Sequence, residues 1–285
     1  MNKDVSQIVA FQGLPGAYSD LACREMFPNW QTLPCSTFAE TFKVVEDGMA
    51  EHAMIPIENS VAGRVADIHQ MLPKSGLYFV AEHFQRVRHQ LLGINGSSLK
   101  DIRTVHSHVH ALSQCNKIIN NLGLKAVVHA DTAGAAAEAV QRKDKSVGVI
   151  ASSLAAQIYS MAILKSNVED EDHNTTRFIV LARDRIDPDI SSDPVVTSFV
   201  FRVRNVPAAL HKALGCFATN GINMTKLESY MLGGNFTATQ FFAEVEAHPE
   251  RPDLKKALEE LTLFSKEVRI MGVFPAHTYR LKHNK

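Results

Sequence analysis

The sequence has no net charge: its 285 residues carry 30 Lys and Arg against 30 Asp and Glu. Nothing in that balance calls for a nucleic acid or an anionic membrane as partner, and neither is expected. The chain also lacks any apolar run near the ~18 residues that a membrane span needs. Its opening, MNKDVSQIVAFQGLPG, holds no apolar stretch long enough for a signal peptide, so a soluble cytoplasmic protein is expected. Cysteine is sparse. Cys23, Cys35, Cys115 and Cys216 stand far apart with no CxxC spacing, which argues against a disulfide framework and a zinc site; they read as reduced core thiols. Low-complexity segments and internal repeats are absent too.

What is present has a rhythm. Short apolar runs alternate with amphipathic ones: IVAFQ (8–12), SDLACREMF (19–27), FAETFKVVEDGMA (38–50), HAMIPI (52–57). This is the pattern of βα units on a largely parallel sheet. LYFVAEHFQRVRHQLL (77–92) alternates as one long, half-exposed strand that crosses between two lobes. The alternation resumes with RTVHS as strand, HALSQCNKIINN as one helix, KAVVHA as strand, TAGAAAEAVQR as helix, SVGVIA as strand and SLAAQIYS as helix. Two such α/β lobes leave a cleft between them, where small-ligand sites concentrate. The length suggests two domains. Polar, proline-containing RDRIDPDISSDP places a linker at 184–194, with a catalytic domain over 6–183 before it. From 195 to 276 the order is βαββαβ, the split βαβ arrangement of ferredoxin-like modules. The basic end, 277–285, reads as a frayed tail.

One seam stands out. EDEDHNTTRFIVLAR (169–183) sets Thr175, Thr176 and Arg177 between an acidic run and an apolar strand. Strand alternation sends adjacent side chains to opposite faces, so only one of the two threonines is expected to reach a ligand. Arg177 offers a planar fork suited to a carboxylate, or else pairs with the Glu169–Asp172 run in solvent. PIENS closes a strand ahead of a helix expected around VADIHQML; there Asn59 and Ser60 either cap or donate to an anion. Glu58 is a proton donor if buried in the cleft and structural if paired. His106, His108 and His110 alternate as metal ligands on a strand would. The run breaks after Ser107, however, and no carboxylate or cysteine completes a set, so no metal is expected. GLPGAYS lacks the spacing and lysine of a phosphate loop and reads as a tight turn before a helix. Thr132 stands at a helix start as cap or donor.

GLPGAYS (13–19), PIENSVAG (56–63), VHSHVHALSQC (105–115), DTAGAA (131–136) and NTTRF (174–178) occur in the order and spacing of prephenate dehydratases, which the chain resembles over nearly its whole length. The resemblance implies conversion of prephenate to phenylpyruvate, carbon dioxide and water, the committed step of phenylalanine synthesis, with no cofactor or metal. It implies a catalytic portion of two α/β lobes like a type II periplasmic-binding-protein fold. Thr176 would be the catalytic hydroxyl, hydrogen-bonded to the departing ring hydroxyl. Arg177 would bind a substrate carboxylate. Asn59, Ser60, Ser107, Gln114, Thr132 and Phe178 would face the substrate, Glu58 would support them, and Ala17, Tyr18 and Ser19 would wall it.

The C-terminal βαββαβ unit resembles the ACT regulatory domain, which implies phenylalanine binding at a dimer interface and a homodimer or homotetramer. The implied contacts are Ala208, Ala209, Leu210, Asn223, Leu227, Glu228 and Ser229. Two departures bear on this. Ala208 stands where the family pattern has glycine, and Tyr230 and Met231 replace the arginine and proline of its ESRP segment. Competing expectations are an arogenate dehydratase, with the same chemistry on the amino-acid form of the substrate, and a non-catalytic amino-acid sensor.

Overall fold

The computed structural model describes residues 7–65, 68, 71–192, 194–231 and 238–283. Two α/β sheets come first. One has the strand order β2-β1-β3-β11-β5, built from β1 Ile8–Gln12, β2 Gln31–Cys35, β3 His52–Asn59, β5 Tyr78–Arg86 and β11 Thr175–Ala182, with the short β4 Gly63–Arg64 paired to β3. β1 runs parallel to both β2 and β3. The other has the order β10-β6-β9-β7-β8, from β6 Gln90–Gly93, β7 Thr104–Ser107, β8 Lys125–Val128, β9 Val147–Ala151 and β10 Ala162–Lys165. Every residue of its central strand β9 is buried. That follows from helices on both faces: Ala111, Leu112, Ile118 and Ile119 pack with Leu91 and Ile150 on one side, and Ala135, Ala136 and Ala139 with Leu92 and Val149 on the other.

The helices are capped largely by their own sequence. α1 (Tyr18–Met26) follows the GLPGAYS turn, and α2 (Phe38–Glu46) starts at Thr37, whose side chain accepts from Glu40 N. α5 (Thr132–Arg142) and α6 (Ser153–Ile158) start at Asp131 and Ser152, which accept from Gly134 N and Ala155 N. Gly16 is required in its turn: it holds φ +91°, and a Cβ there would lie 2.8 Å from Ala155 Cα. The same turn is tied to the second sheet's helices by Ser152 Oγ to Gly16 O (2.6 Å) and Tyr159 OH to Pro15 O (2.9 Å).

Two expected elements are corrected, and a third falls largely outside the described residues. The long strand over 77–92 is two strands, β5 and β6, interrupted at residues 87–89 where the chain leaves one sheet for the other. The helix over 110–121 is also two, α3 (Val109–Ser113) and α4 (Asn116–Asn121), parted at Gln114 and Cys115. The carboxylate of Asp170 accepts from Asn116 N at 2.8 Å and Lys117 N at 3.0 Å, giving the second helix a start that local periodicity does not reveal. The helix expected around VADIHQML falls largely on residues 66, 67, 69 and 70, outside the described residues.

The third sheet, β13-β14-β12-β15, comprises β12 Val195–Val203, β13 Met224–Met231, β14 Ala238–Val245 and β15 Ser265–Pro275, all antiparallel. With α7 (Ala209–Thr219) and α8 (Pro252–Phe264) it realises the expected βαββαβ order around a core of Phe199, Phe201, Phe217 and Leu254. The chain divides into compact units elsewhere than at 184–194. The described parts of 1–65 and 83–178 form one unit, and those of 66–82 and 179–285 the other. The reason lies in β5, whose first half packs on the third sheet: a Cβ at Gly272 would lie 2.1 Å from Phe79 O, and the Phe79 and Phe242 rings are 6.0 Å apart. Nor does the described end of the chain fray. Thr278–His283 forms a ninth described helix, α9, and its Arg280 is anchored on three glutamates.

Candidate active site

β11 begins at the seam, and its first residues are stitched to the end of β3. Ser60 N donates to Thr175 O and Thr175 N donates to Ser60 Oγ, both at 2.9 Å, while Ser60 Oγ donates to His173 O at 2.9 Å. Ser60 is thereby committed to holding the loop, and Thr175, buried, turns its hydroxyl to His173 O. Asn59 is more fully committed. Its Oδ1 accepts from Val61 N (2.9 Å) and Ala62 N (2.8 Å), and its Nδ2 donates to Asn174 Oδ1 (2.8 Å) and Thr176 Oγ1 (2.9 Å). The amide therefore has no donor left for an anion; it aims Thr176. Among the described residues nothing accepts the Thr176 proton, so that half-buried hydroxyl remains a donor.

Alternation sends Arg177 to the face opposite Thr176. There Nη1 lies 2.9 Å from Glu58 Oε1 and the guanidinium carbon 5.9 Å from the Phe84 ring centre. The arginine side chain is 4% exposed and Glu58 35% exposed. Arg177 is thus held by a carboxylate of the chain itself, with Glu58 in the paired role that the sequence left open.

From Asn174 a network continues into the second sheet. Asn174 Nδ2 donates to Gln114 Oε1 at 2.7 Å, His89 Nε2 is 3.0 Å from the same oxygen, and His89 Nδ1 is 2.8 Å from the Tyr18 hydroxyl. These residues sit where the chain crosses between the sheets, and the two crossings are bonded to each other: Val87 N to Asn174 O, Val168 N to His89 O, both 2.9 Å, and His89 N to Glu169 Oε2 at 2.8 Å. Glu169 and Asp170 are therefore anchored parts of the framework, not a solvated acidic approach. Burial lowers the His89 pKa, opposed by the Gln114 hydrogen bond and Glu169, and so favours the neutral ring. Burial likewise raises the Tyr18 pKa, reinforced by Cys115 and Glu169, and raises that of the Cys115 thiol. Burial thus favours the neutral forms of Tyr18, His89 and Cys115.

The remaining expected residues divide. Tyr18 and Gln114 join the network. Ser107 is fully buried and donates to Ile150 O at 2.5 Å, which spends its proton within the sheet. Thr132 opens α5 but Asp131 caps it. Ala17 and Ser19 are half-buried at the start of α1, and Phe178 is core. His108 caps α3 by accepting from His110 N, while His106 faces Thr104 Oγ1 at 3.2 Å, so the three histidines do not converge. Sequence reasoning missed Asn174, His89, Glu169 and Asp170 as site residues. Asn174 was within reach, lying next to the threonine pair. His89 was disguised at the seam of an apolar run.

A family model described as prephenate dehydratase matches residues 9–186. The chain is 54% identical over 276 residues to a bifunctional N-acyl-homoserine lactone acylase/prephenate dehydratase of Komagataeibacter europaeus, covering 97% of this chain and 98% of that one. It is 37% identical over 286 residues to arogenate dehydratase/prephenate dehydratase 1, chloroplastic, of Arabidopsis thaliana, covering 95% and 73%. A solved structure described as GqqA, a novel type of quorum quenching acylases, matches with a TM-score of 0.90 at 53% identity, covering 96% of this chain and all (100%) of that one.

Proposed function

This chain belongs to the prephenate dehydratase family, and from that premise we propose that it converts prephenate to phenylpyruvate, carbon dioxide and water in phenylalanine biosynthesis. The observation that carries the reading is the Thr176 hydroxyl, whose oxygen is held by Asn59 Nδ2 while its proton has no acceptor among the described residues. In the reaction the electron pair of the ring carbon–carboxylate bond moves into the ring, the opposite C–O bond breaks, and the departing hydroxide takes a proton to become water. Aromatisation supplies the driving force. The threonine hydroxyl need not be ionised beforehand. It passes its proton to the leaving oxygen as the C–O bond breaks, the Asn59 amide stabilises the charge that develops on its own oxygen, and solvent returns the proton afterwards. Arg177, which alternation turns to the face opposite Thr176 and Glu58 pairs, is not a substrate contact in this reading; it supports the strand that carries Thr176.

Arogenate is the alternative substrate, since the Arabidopsis relative bears both names. Incubating the purified protein with each compound and following phenylpyruvate and phenylalanine separates them. Turnover of prephenate is expected; turnover of arogenate alone reassigns the substrate, and turnover of neither leaves the sensor reading. A second reading, N-acyl-homoserine lactone acylase activity beside the lyase, is favoured by the 54% identity to a relative named for both. Fatty-acid release from such a lactone tests it.

We assign the C-terminal βαββαβ unit to an ACT-type regulatory module that binds phenylalanine and mediates homo-oligomerisation in the cytoplasm. Ala208 supports the assignment through its backbone: it holds φ +60° at the start of α7, where the family pattern has glycine. Ala209 and Leu210 follow it inside the helix. On the edge strand β13, Leu227 and Ser229 are exposed, Glu228 is half-buried with Oε1 3.6 Å from Lys226 Nζ, and Tyr230 turns inward; Asn223 is exposed just before it. Titration with phenylalanine is expected to lower activity and raise the melting temperature; no effect on either rejects the assignment.

A further inference from the structure

The hydrogen-bond network at the sheet crossing has only one possible direction. Val61 N and Ala62 N both donate to Asn59 Oδ1, which fixes the oxygen end of that amide. Its Nδ2 therefore faces Asn174, and Asn174 must present oxygen to Asn59 and nitrogen to Gln114. Gln114 Oε1 is then an acceptor, so His89 Nε2, 3.0 Å away, must carry a hydrogen. The Tyr18 hydroxyl completes the ring's environment from the other side, its single proton shared between Nδ1 at 2.8 Å and Arg88 O at 3.0 Å. His89 is 2% exposed, its backbone N–H is held by Glu169, and the Tyr18 ring stands edge-on at 85°. The ring cannot turn over without breaking its bonds to Gln114 and Tyr18.

The consequence falls on Gln114. With its oxygen gripped by Asn174 and His89, Gln114 is half-buried, and among the described residues nothing accepts from its amide nitrogen. We propose that His89 is a positioning residue: its Nε2–H locks the polarity of Gln114 so that the glutamine offers two N–H donors to an oxygen of the substrate. Both forms carry the same carboxylates, so two donors discriminate only at the side-chain keto oxygen, where an ammonium would require the amide reversed. Set against that oxygen, the Gln114 amide held by His89 biases the site toward the keto acid over the amino-acid form. This rests on the dehydratase reading. The neutral ring favoured by burial fits the arrangement, with Nδ1 left to accept from Tyr18.

The test combines kinetics with a readout independent of turnover. His89→Gln keeps an N–H donor at the place of Nε2, His89→Asn supplies one only near Nδ1, and His89→Phe supplies none. For prephenate, KM is expected to rise about tenfold or more in the Asn and Phe variants, with a smaller change in kcat, and to be largely restored in the Gln variant. The ratio of arogenate to prephenate kcat/KM should rise in the same two. Nitrogen-15 NMR of the wild-type protein should show His89 as the neutral Nε2–H tautomer. An Nδ1–H tautomer overturns the proposal whatever the substrate, as does equal loss in all three variants at unchanged KM. Failure of the wild type to consume either substrate instead overturns the dehydratase reading, and the role of His89 with it.

Discussion

Two buried polar assemblies, one in each unit, are made of opposite materials. The first joins Thr176, Asn59, Asn174, Gln114, His89 and Tyr18, amides and hydroxyls around one imidazole. The second joins Arg280, whose side chain is 10% exposed, to Glu82 (2.7 and 3.0 Å), Glu244 (2.9 Å) and Glu246 (3.5 Å), and Ser198 Oγ donates to Glu244 at 2.9 Å. Glu82 and Glu244 are buried. A neutral network can leave a donor over where that donor lies at a half-buried edge within reach of water, and this one leaves the Thr176 proton and the Gln114 amide. A buried charge cluster cannot, since removing one member strands the others. The first is suited to chemistry, the second to fastening the end of the chain.

Predictions that break this contrast run from large to small. Thr176→Val should lower kcat by about 10²- to 10⁴-fold, the range for loss of a positioned proton donor, with an unchanged melting curve. Arg280→Met should do the reverse, costing about 3 kcal/mol in denaturant unfolding because two buried carboxylates lose their cation. Asp170→Ala removes the cap of α4 and should cost about 1 kcal/mol, read by the same unfolding assay. Ala208→Gly should stabilise by roughly 1 kcal/mol, because alanine is held at φ +60° where glycine carries no steric penalty. The smallest effect concerns pH. Burial depresses the His89 pKa below its ordinary 6.5, so the unfolded chain binds the proton first. His89 thus contributes stability that is present above about 6.5 and declines as pH falls through the folded value, a slope that His89→Gln should flatten in melting curves taken across that range.

Much of the fold was legible because it rests on local patterning: IVAFQ and TAGAAAEAVQR form β1 and α5 at their expected bounds. What escaped depends on partners far along the chain. The break at Gln114 needs Asp170, and α9 needs Glu82, 198 residues before Arg280. β2 was missed because Pro34 interrupts its pattern, although an edge strand tolerates it. In the site, the threonine pair and Asn59 stood in motifs. His89 did not, since a buried polar residue between two apolar strands leaves no periodic trace.

The most direct test of the central claim is the initial rate of prephenate turnover by Thr176→Val beside Thr175→Val, both checked for wild-type melting. Thr175 spends its hydroxyl on His173 O, whereas Thr176 keeps its proton. The 176 variant should lose most of its activity and the 175 variant little. Equal, small losses in both would contradict the assignment of the leaving-group proton to Thr176.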